Sequence, residues 1–173
     1  FRYRSDGTFA GTVTADGSGT RLVPQLNYFL GPFGLAGEYA VAEHRVSRGG
    51  VAADLKMSAW QATAALLVTG EDESYQGVVP RRPFSPAQGG WGAWELALRL
   101  SALRVDPAAF PVYADPAVSA RHARAFGCGA NWYPWRGVKA VFDYERTAFE
   151  GGAPAGGNRP VEEAVMTRVQ LLF

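Results

Sequence analysis

The feature of this sequence that most constrains its fold is a repeated alternation of apolar and polar residues. Near the end of the chain, for example, Val165, Val169 and Leu171 share one parity, and Arg168 and Gln170 share the other. A period of two residues is typical of a β-strand whose two faces meet different surroundings. We therefore predict seven complete strands. They span Thr20–Leu30, Leu35–Val46, Leu55–Thr69, Gly92–Leu103, Ser119–Tyr133, Val138–Phe149 and Glu163–Phe173.

These strands are longer than those of a typical soluble sheet. Soluble strands average roughly 5–6 residues, whereas a tilted transmembrane strand needs about 9–11. The segment Phe1–Arg4 is interpreted as the end of an eighth strand. The longest apolar run, Ala64–Val68, is far shorter than the ~20 residues of a membrane-spanning helix. The pattern favours an all-β, antiparallel transmembrane barrel, although a soluble β-sandwich also alternates.

The charge balance argues against nucleic-acid binding. The chain has 17 Lys and Arg residues against 16 Asp and Glu, for a formal net charge of +1, and nucleic-acid-binding domains normally carry a clear excess of positive charge. The single cysteine, Cys128, cannot form an internal disulfide, and we expect it to pack as a small apolar side chain. The chain begins at Phe1 without the features of a signal peptide, so we expect a fragment or a truncated mature protein.

The predicted connections alternate in length. The segments Gly31–Gly34 and Pro134–Gly137 are short, whereas Arg104–Val118 and Glu150–Glu162 are long and rich in small residues. Outer-membrane barrels have short periplasmic turns and longer extracellular loops. By this count Gly70–Trp91 belongs on the periplasmic side, yet it runs about twenty residues, and the sequence offers no reason for that length.

Strand parity assigns each polar side chain to the lumen and each mid-strand apolar side chain to lipid. The candidates for an anion path are Arg21, Arg99, Lys139 and Arg168. The other residues predicted to face the lumen are Gln25, Glu38, Gln61, Glu95, Asn131, Asp143, Glu145 and Gln170. Aromatic residues near strand ends on the opposite face are predicted to form two interfacial girdles. They are Tyr28, Trp60, Trp94, Trp132, Tyr144 and Phe173.

The inward-facing charges leave two interpretations open. Cationic side chains in a wet pore attract anions and repel cations. However, the same face carries four acidic residues against the four basic ones. Ion pairs that connect neighbouring strands are therefore the alternative to an anion path.

Catalysis is not predicted from these residues. No Gly-x-Ser-x-Gly nucleophile elbow is present, and Ser119 and His122 have opposite parity in one predicted strand. His44 and His122 lack the neighbouring ligands of a metal site. We predict that the chain is not an enzyme and uses neither cofactor nor metal. A structural, anchoring or adhesive barrel without transport and a barrel hydrolase are the alternative functions.

Seven short sequence segments, in order over about 150 residues, resemble the phosphate-selective porin O and P family. They are Arg21–Leu26 with Tyr28, Gly31–Gly34 with Gly37–Tyr39, Ala59–Gln61 with Thr69–Asp72, Val79–Phe84, Gly92–Leu96, Gly129–Tyr133 and Thr167–Phe173. The last of these ends in a terminal phenylalanine and resembles the signal that the barrel-assembly machinery reads.

The resemblance implies a water-filled barrel of sixteen strands in the outer membrane of a Gram-negative bacterium. It further implies a homotrimer that is surrounded by outer-membrane lipid and that conducts inorganic anions such as phosphate or polyphosphate. Residues 1–173 then form the C-terminal portion of a single barrel domain. In the family, the constricting loop and many of the basic residues belong to the N-terminal half.

Overall fold

The computed structural model of the chain describes residues 1–172 and contains one sheet of eight antiparallel strands. The strands are β1 (Thr14–Leu22), β2 (Gln25–Leu30), β3 (Phe33–Arg48), β4 (Val51–Leu67), β5 (Ala93–Arg104), β6 (Ala120–Tyr133), β7 (Val138–Gly151) and β8 (Glu162–Leu171). Three short 3-10 helices span Pro86–Gln88, Pro107–Ala109 and Pro154–Gly156. Within residues 1–172, no helix has the length and apolar character needed to cross a membrane. The prediction of an all-β antiparallel fold is confirmed.

Strands β1 and β2 together form one edge of the sheet. Both pair with β3, and the register is the same on the two sides of the interruption at Pro24. Proline has no N–H to donate to a ladder, but the Pro24 carbonyl oxygen accepts a hydrogen bond from the Tyr39 N–H at 3.1 Å. The two elements therefore correspond to the single predicted strand Thr20–Leu30, and β8 forms the opposite edge.

Strands β3 and β4 are longer than predicted because a two-residue turn joins them. Gly49 and Gly50 have φ values of 58° and 80°, and a type I′ hairpin turn requires positive φ at both central residues. The ladder therefore continues up to the pair Arg48 and Val51. The prediction instead ended the first of these strands at Val46 and began the second at Leu55.

The connections define two ends of the sheet, which we call the turn end and the loop end. The turn end carries residues 31–32, 68–92 and 134–137, and the loop end carries residues 49–50, 105–119 and 152–161. Each end has both short and long connections. The expected division into short turns and long loops is thus followed only in part.

The two faces of the sheet differ along the middle of the strands. Directly opposed residues share a face, so Gln25, Glu38 and Gln61 form one polar row across three strands; we call this the inner face. The other face, the outer face, carries apolar side chains such as Leu98 and Val169, of which Leu98 is 55% exposed. A continuous exposed apolar surface marks contact with lipid or with another protein.

At the loop end, the connection 105–119 folds across the inner face. Val105 and Tyr113 pack against Val46 and Leu55, which lie on the inner side of β3 and β4. The Tyr113 hydroxyl donates to the Val51 carbonyl oxygen at 3.1 Å. The connection is therefore anchored to the wall by an apolar contact and a hydrogen bond.

The segment Phe1–Arg4 is not a strand of the sheet, so its interpretation as the end of an eighth strand is wrong. Tyr3 forms a single bridge with Ala114, and the Arg4 N–H donates to the Tyr113 carbonyl oxygen at 2.8 Å. The backbone groups of this segment thus find their partners in the connection 105–119. A four-residue sequence pattern cannot distinguish the two kinds of partner, because both give an extended backbone.

Candidate functional site

The inner face carries every residue that parity assigned to the lumen. Successive pairings connect Asn27 of β2 with Arg99 of β5 and Glu145 of β7 on one row. A second row connects Glu95 and Asn131 with Arg168 through Val141. The twelve predicted residues on this face are Arg21, Gln25, Glu38, Gln61, Glu95, Arg99, Asn131, Lys139, Asp143, Glu145, Arg168 and Gln170.

One charged pair on the inner face connects two strands that are not neighbours. Arg99 of β5 forms an ion pair with Glu145 of β7 across Gly127 of β6. Because Gly127 has no side chain, the arginine can cross the intervening strand. This contact corresponds to the interpretation in which inward charges join the strands of the wall.

A buried polar cluster lies nearer the turn end. Glu95 is 5% exposed and accepts hydrogen bonds from the Asn131 amide at 2.5 Å and from the Tyr133 hydroxyl at 2.7 Å. The Lys139 ammonium lies 5.0 Å from the centre of the Tyr133 ring, within the range of a cation–π contact. The Glu95 carboxylate is therefore held behind two polar side chains and away from the open surface.

The remaining inward charges differ in exposure. Among residues 1–172, Arg21, Lys139 and Arg168 have no carboxylate within ion-pair distance, and Arg21 and Arg168 are exposed. Glu38 is half-buried and accepts a hydrogen bond from the Gln25 amide at 2.8 Å, and Asp143 is half-buried as well. The equal numbers of the two signs thus hide an asymmetry, because among the eight charged residues that parity assigned to this face only arginines are exposed, and two of these, Arg21 and Arg168, stand on the edge strands β1 and β8.

The long connection at the turn end, residues 68–92, covers two surfaces of the sheet, and this accounts for its length. Its first part folds over the inner face, where Val78 packs in an apolar cluster with Leu67, Ala93 and Tyr133. Its Tyr75 side chain also lies on the inner face. The Tyr75 hydroxyl accepts a hydrogen bond from the Asn27 amide at 3.1 Å, and the ring packs edge-on against Phe29 at 5.7 Å.

Two carboxylates of this connection differ in their pKa. Burial and the nearby charge of Glu95 raise the pKa of the Glu73 carboxyl, and Lys139 opposes this only in part. Burial also disfavours the ionised form of Glu71, but hydrogen bonds from the Thr69 hydroxyl and the Arg81 N–H outweigh it and lower the Glu71 pKa. The two carboxyls therefore respond to acid in opposite ways.

The second part of the connection joins an aromatic cluster at the rim of the turn end. The Phe84 ring contacts Trp132 at 5.2 Å and Trp135 at 5.9 Å, while the Trp132 indole N–H donates to the Trp91 carbonyl oxygen at 2.8 Å. Trp132 also stacks on Trp94 at 5.8 Å. Sequence parity identified two of these five residues. The other three stand in connections, where parity has no meaning, and only their closeness to strand ends could have indicated them.

The predicted girdle residues occupy the outer face as far as the structure describes them. Trp94 and Trp132 are directly opposed near the turn end, and Trp60 lies further towards the loop end, opposite Tyr39. Tyr28 and Tyr144 are on the same face. Phe173 lies outside the described residues.

Comparison with known proteins indicates which kind of protein has a sheet with these two faces. A family model described as phosphate-selective porin O and P matches residues 3–173. A search of the curated proteins found none that matches the sequence.

Proposed function

The chain belongs to the phosphate-selective porin O and P family, and we propose that its inner face lines a water-filled path for small inorganic anions such as phosphate or polyphosphate. Membership of this family makes the protein an outer-membrane porin. The preference for anions, the passage of phosphate in particular, the homotrimer and the Gram-negative source belong to the proposal.

The observation that carries the anion preference is that Arg21, Lys139 and Arg168 have no carboxylate within ion-pair distance in residues 1–172. Glu95 is buried behind its hydrogen-bond partners and Glu145 is paired with Arg99. A hydrated ion that moves along this face therefore meets guanidinium groups more directly than carboxylates. Rings of accessible basic side chains favour anions in a pore.

The two free edges of the sheet support a larger barrel. Among residues 1–172, β1, β2 and β8 each pair on one side only, and an unpaired edge in a membrane leaves backbone polar groups without partners. We propose that further strands of the same domain pair with these edges and close a sixteen-stranded wall. A barrel of seven or eight strands is too narrow for an aqueous channel.

The test of function is a reversal-potential measurement on the full-length protein in a planar bilayer, across a gradient of potassium chloride and then of potassium phosphate. We expect the wild type to prefer anions. Arg21→Gln/Arg168→Gln should shift the reversal potential towards cations, and the shift should shrink at high salt because charges in a wet pore are screened. A wild-type channel that prefers cations contradicts the proposal.

The matched control is Arg99→Gln/Glu145→Gln. It removes two charges from the same face, but they belong to one ion pair and their sum is zero. Selectivity should therefore stay close to that of the wild type. An equal shift in both double variants would show that the unpaired state of Arg21 and Arg168 has no special role.

Assembly is a separate part of the proposal. We expect native mass spectrometry of the full-length protein to give the mass of a trimer. The terminal Phe173 should contribute to recognition by the barrel-assembly machinery, so its deletion should lower the yield of assembled barrel more than Leu172→Ala does. Normal assembly without Phe173 would remove this role.

Two alternative functions have distinct readouts. A structural or adhesive barrel gives no conductance in the bilayer, and a barrel hydrolase releases fatty acid from lipid esters. The geometry offers little to a hydrolase built on Ser119. This residue is buried and its hydroxyl contacts the backbone N–H and carbonyl oxygen of Arg2 at 3.2 and 3.3 Å. His122 instead lies 3.7 Å from Glu150.

A further inference from the structure

The apolar band of the outer face ends at a row of charged residues towards the loop end. Along β5, the outer side chains run from Trp94 through Leu96, Leu98 and Leu100 to Arg104. With a rise of about 3.3 Å per residue and a strand tilt of roughly 35–45°, the ten steps from Trp94 to Arg104 span about 25 Å of height. This is the height of the lipid-facing band of an outer-membrane barrel. Arg104 therefore lies at the level of the lipid headgroups.

Charged residues at the same level occur on the neighbouring strands. The row consists of Glu43, Lys56, Arg104, Arg124, Arg146 and Glu163. Between successive strands from β4 to β7, each member of the row lies two residues nearer the turn end than the residue directly opposed to the previous member. Between β3 and β4, and between β7 and β8, the two members are directly opposed. Tilted barrel strands require such a stagger for side chains at equal height. The row thus follows one rim of the membrane.

The centre of this row has uncompensated positive charge. Lys56 lies 3.0 Å from Glu43, and Arg146 lies 3.4 Å from Glu163. Arg104 and Arg124 lie between these two pairs on adjacent strands, are both exposed, and have no carboxylate at ion-pair distance within residues 1–172. An unpaired guanidinium at the edge of a lipid-facing surface is attracted to the anionic headgroups of the membrane.

We propose that Arg104 and Arg124 bind the phosphate groups of the phosphorylated glycolipid of the outer leaflet. Two of the three connections at the loop end are long, whereas two of the three at the turn end are short. Outer-membrane barrels carry their longer loops on the outside, so we place the loop end at the cell exterior. The row then meets the outer leaflet, and this step rests on the Gram-negative source in the proposed function. Guanidinium groups bind phosphate oxygens with two parallel hydrogen bonds. The apolar band below the row continues directly into the acyl-chain region. The site is on the lipid side of the wall and is separate from the proposed anion path.

The test uses full-length protein in a mild detergent and diphosphorylated lipid A as the probe, with bound lipid counted by native mass spectrometry. Each basic residue near an anionic surface contributes a factor of roughly five in affinity. Arg104→Gln/Arg124→Gln should therefore weaken lipid A binding about tenfold to thirtyfold. Arg104→Lys/Arg124→Lys keeps the charge and should retain most of the affinity.

The control Arg21→Gln/Arg168→Gln removes the same charge from the inner face and should leave lipid A binding unchanged. Equal loss in both double variants would attribute binding to net charge and overturn the proposal. Tighter binding of phosphatidylglycerol than of lipid A, or saturation of the site by inorganic phosphate alone, would overturn the assignment to a glycolipid. Only samples that migrate as folded barrels in gel electrophoresis are compared. If a double variant does not fold, the two corresponding single variants are measured in its place. The reversal potential of the Arg104 and Arg124 variants should match the wild type, which separates this site from the channel.

Discussion

The inner and outer faces of the sheet reverse their polarity along the strands. In the middle, the outer face carries exposed leucines such as Leu98 and the inner face carries polar side chains such as Gln61. At the loop end the inner face carries the apolar side chains of Val46 and Leu55, which are covered by the connection 105–119, and the outer face carries charged pairs such as Lys56 with Glu43. The polarity of each position therefore follows what covers it, whether lipid, water or another part of the chain.

The largest expected effect tests the difference between the faces at mid-strand. Leu98→Arg places a charge in the lipid-facing band and should destabilise the barrel by ~2–4 kcal/mol. Ser101→Arg, on the inner face of the same strand, should cost much less because its charge can reach water. Urea unfolding of the full-length protein in micelles, followed by tryptophan fluorescence, measures both. Equal losses would contradict the assignment of the faces.

A smaller effect is expected within the inner face, where buried and open polar groups differ. Asn131→Ala removes the amide that donates to the buried Glu95 carboxylate, and hydrogen bonds to charged groups contribute about 1.5–3 kcal/mol. Gln61→Ala removes an exposed amide from the same face and should cost under about 0.5 kcal/mol. The same unfolding measurement compares them, and a neutral Asn131→Ala would mean that water replaces the amide.

How much the sequence could predict differs between the strands and the connections. In β5, parity placed Leu98 and Arg99 on opposite faces of the strand, as they are in the structure, because alternation is a local property of an extended backbone. The ion pair between Arg99 and Glu145 could not be predicted, since it depends on the register of three strands and on the presence of a glycine, Gly127, between the two side chains. The path of residues 68–92 could not be predicted from the sequence either, because contacts such as that of Val78 with Leu67 depend on the fold and leave no periodic pattern in the sequence.

The anchoring of this connection allows a third comparison, between two adjacent valines. Val78 is 6% exposed in the turn-end cluster and Val79 is 57% exposed. Val78→Ala removes two buried methyl groups, a loss of about 1–2 kcal/mol at ~0.8 kcal/mol per group. The connection should then open more often, and trypsin should cleave the bond between Arg81 and Arg82 several times faster. Val79→Ala should be cleaved at the wild-type rate, and faster cleavage of both variants would show that Val78 is not an anchor.

The smallest expected effect is a pH dependence of the same connection. Because the folded pKa of Glu73 is raised, its contribution to the stability of the closed connection is present in acid and is lost as the pH rises through that folded pKa. Glu71 has a lowered folded pKa, so its contribution is present above its ordinary pKa and is lost as the pH falls through the folded value. Glu95, Lys139 and Arg81 are the charged groups that act on this pair. The connection 68–92 should therefore be least mobile at mildly acidic pH.

This pH profile can be measured by fluorescence anisotropy of a dye attached to Ser74→Cys in a Cys128→Ala background. Ser74 is exposed and lies next to Glu73, so the dye reports the mobility of this part of the connection. Glu73→Gln should abolish the loss of order on the neutral side of the maximum, since the neutral amide no longer repels Glu95. Glu71→Gln should abolish the loss on the acidic side, because no carboxylate is left to protonate. A profile that is flat in the background protein, or that keeps both limbs in both variants, would show that these two carboxyls do not control how the connection closes over the inner face.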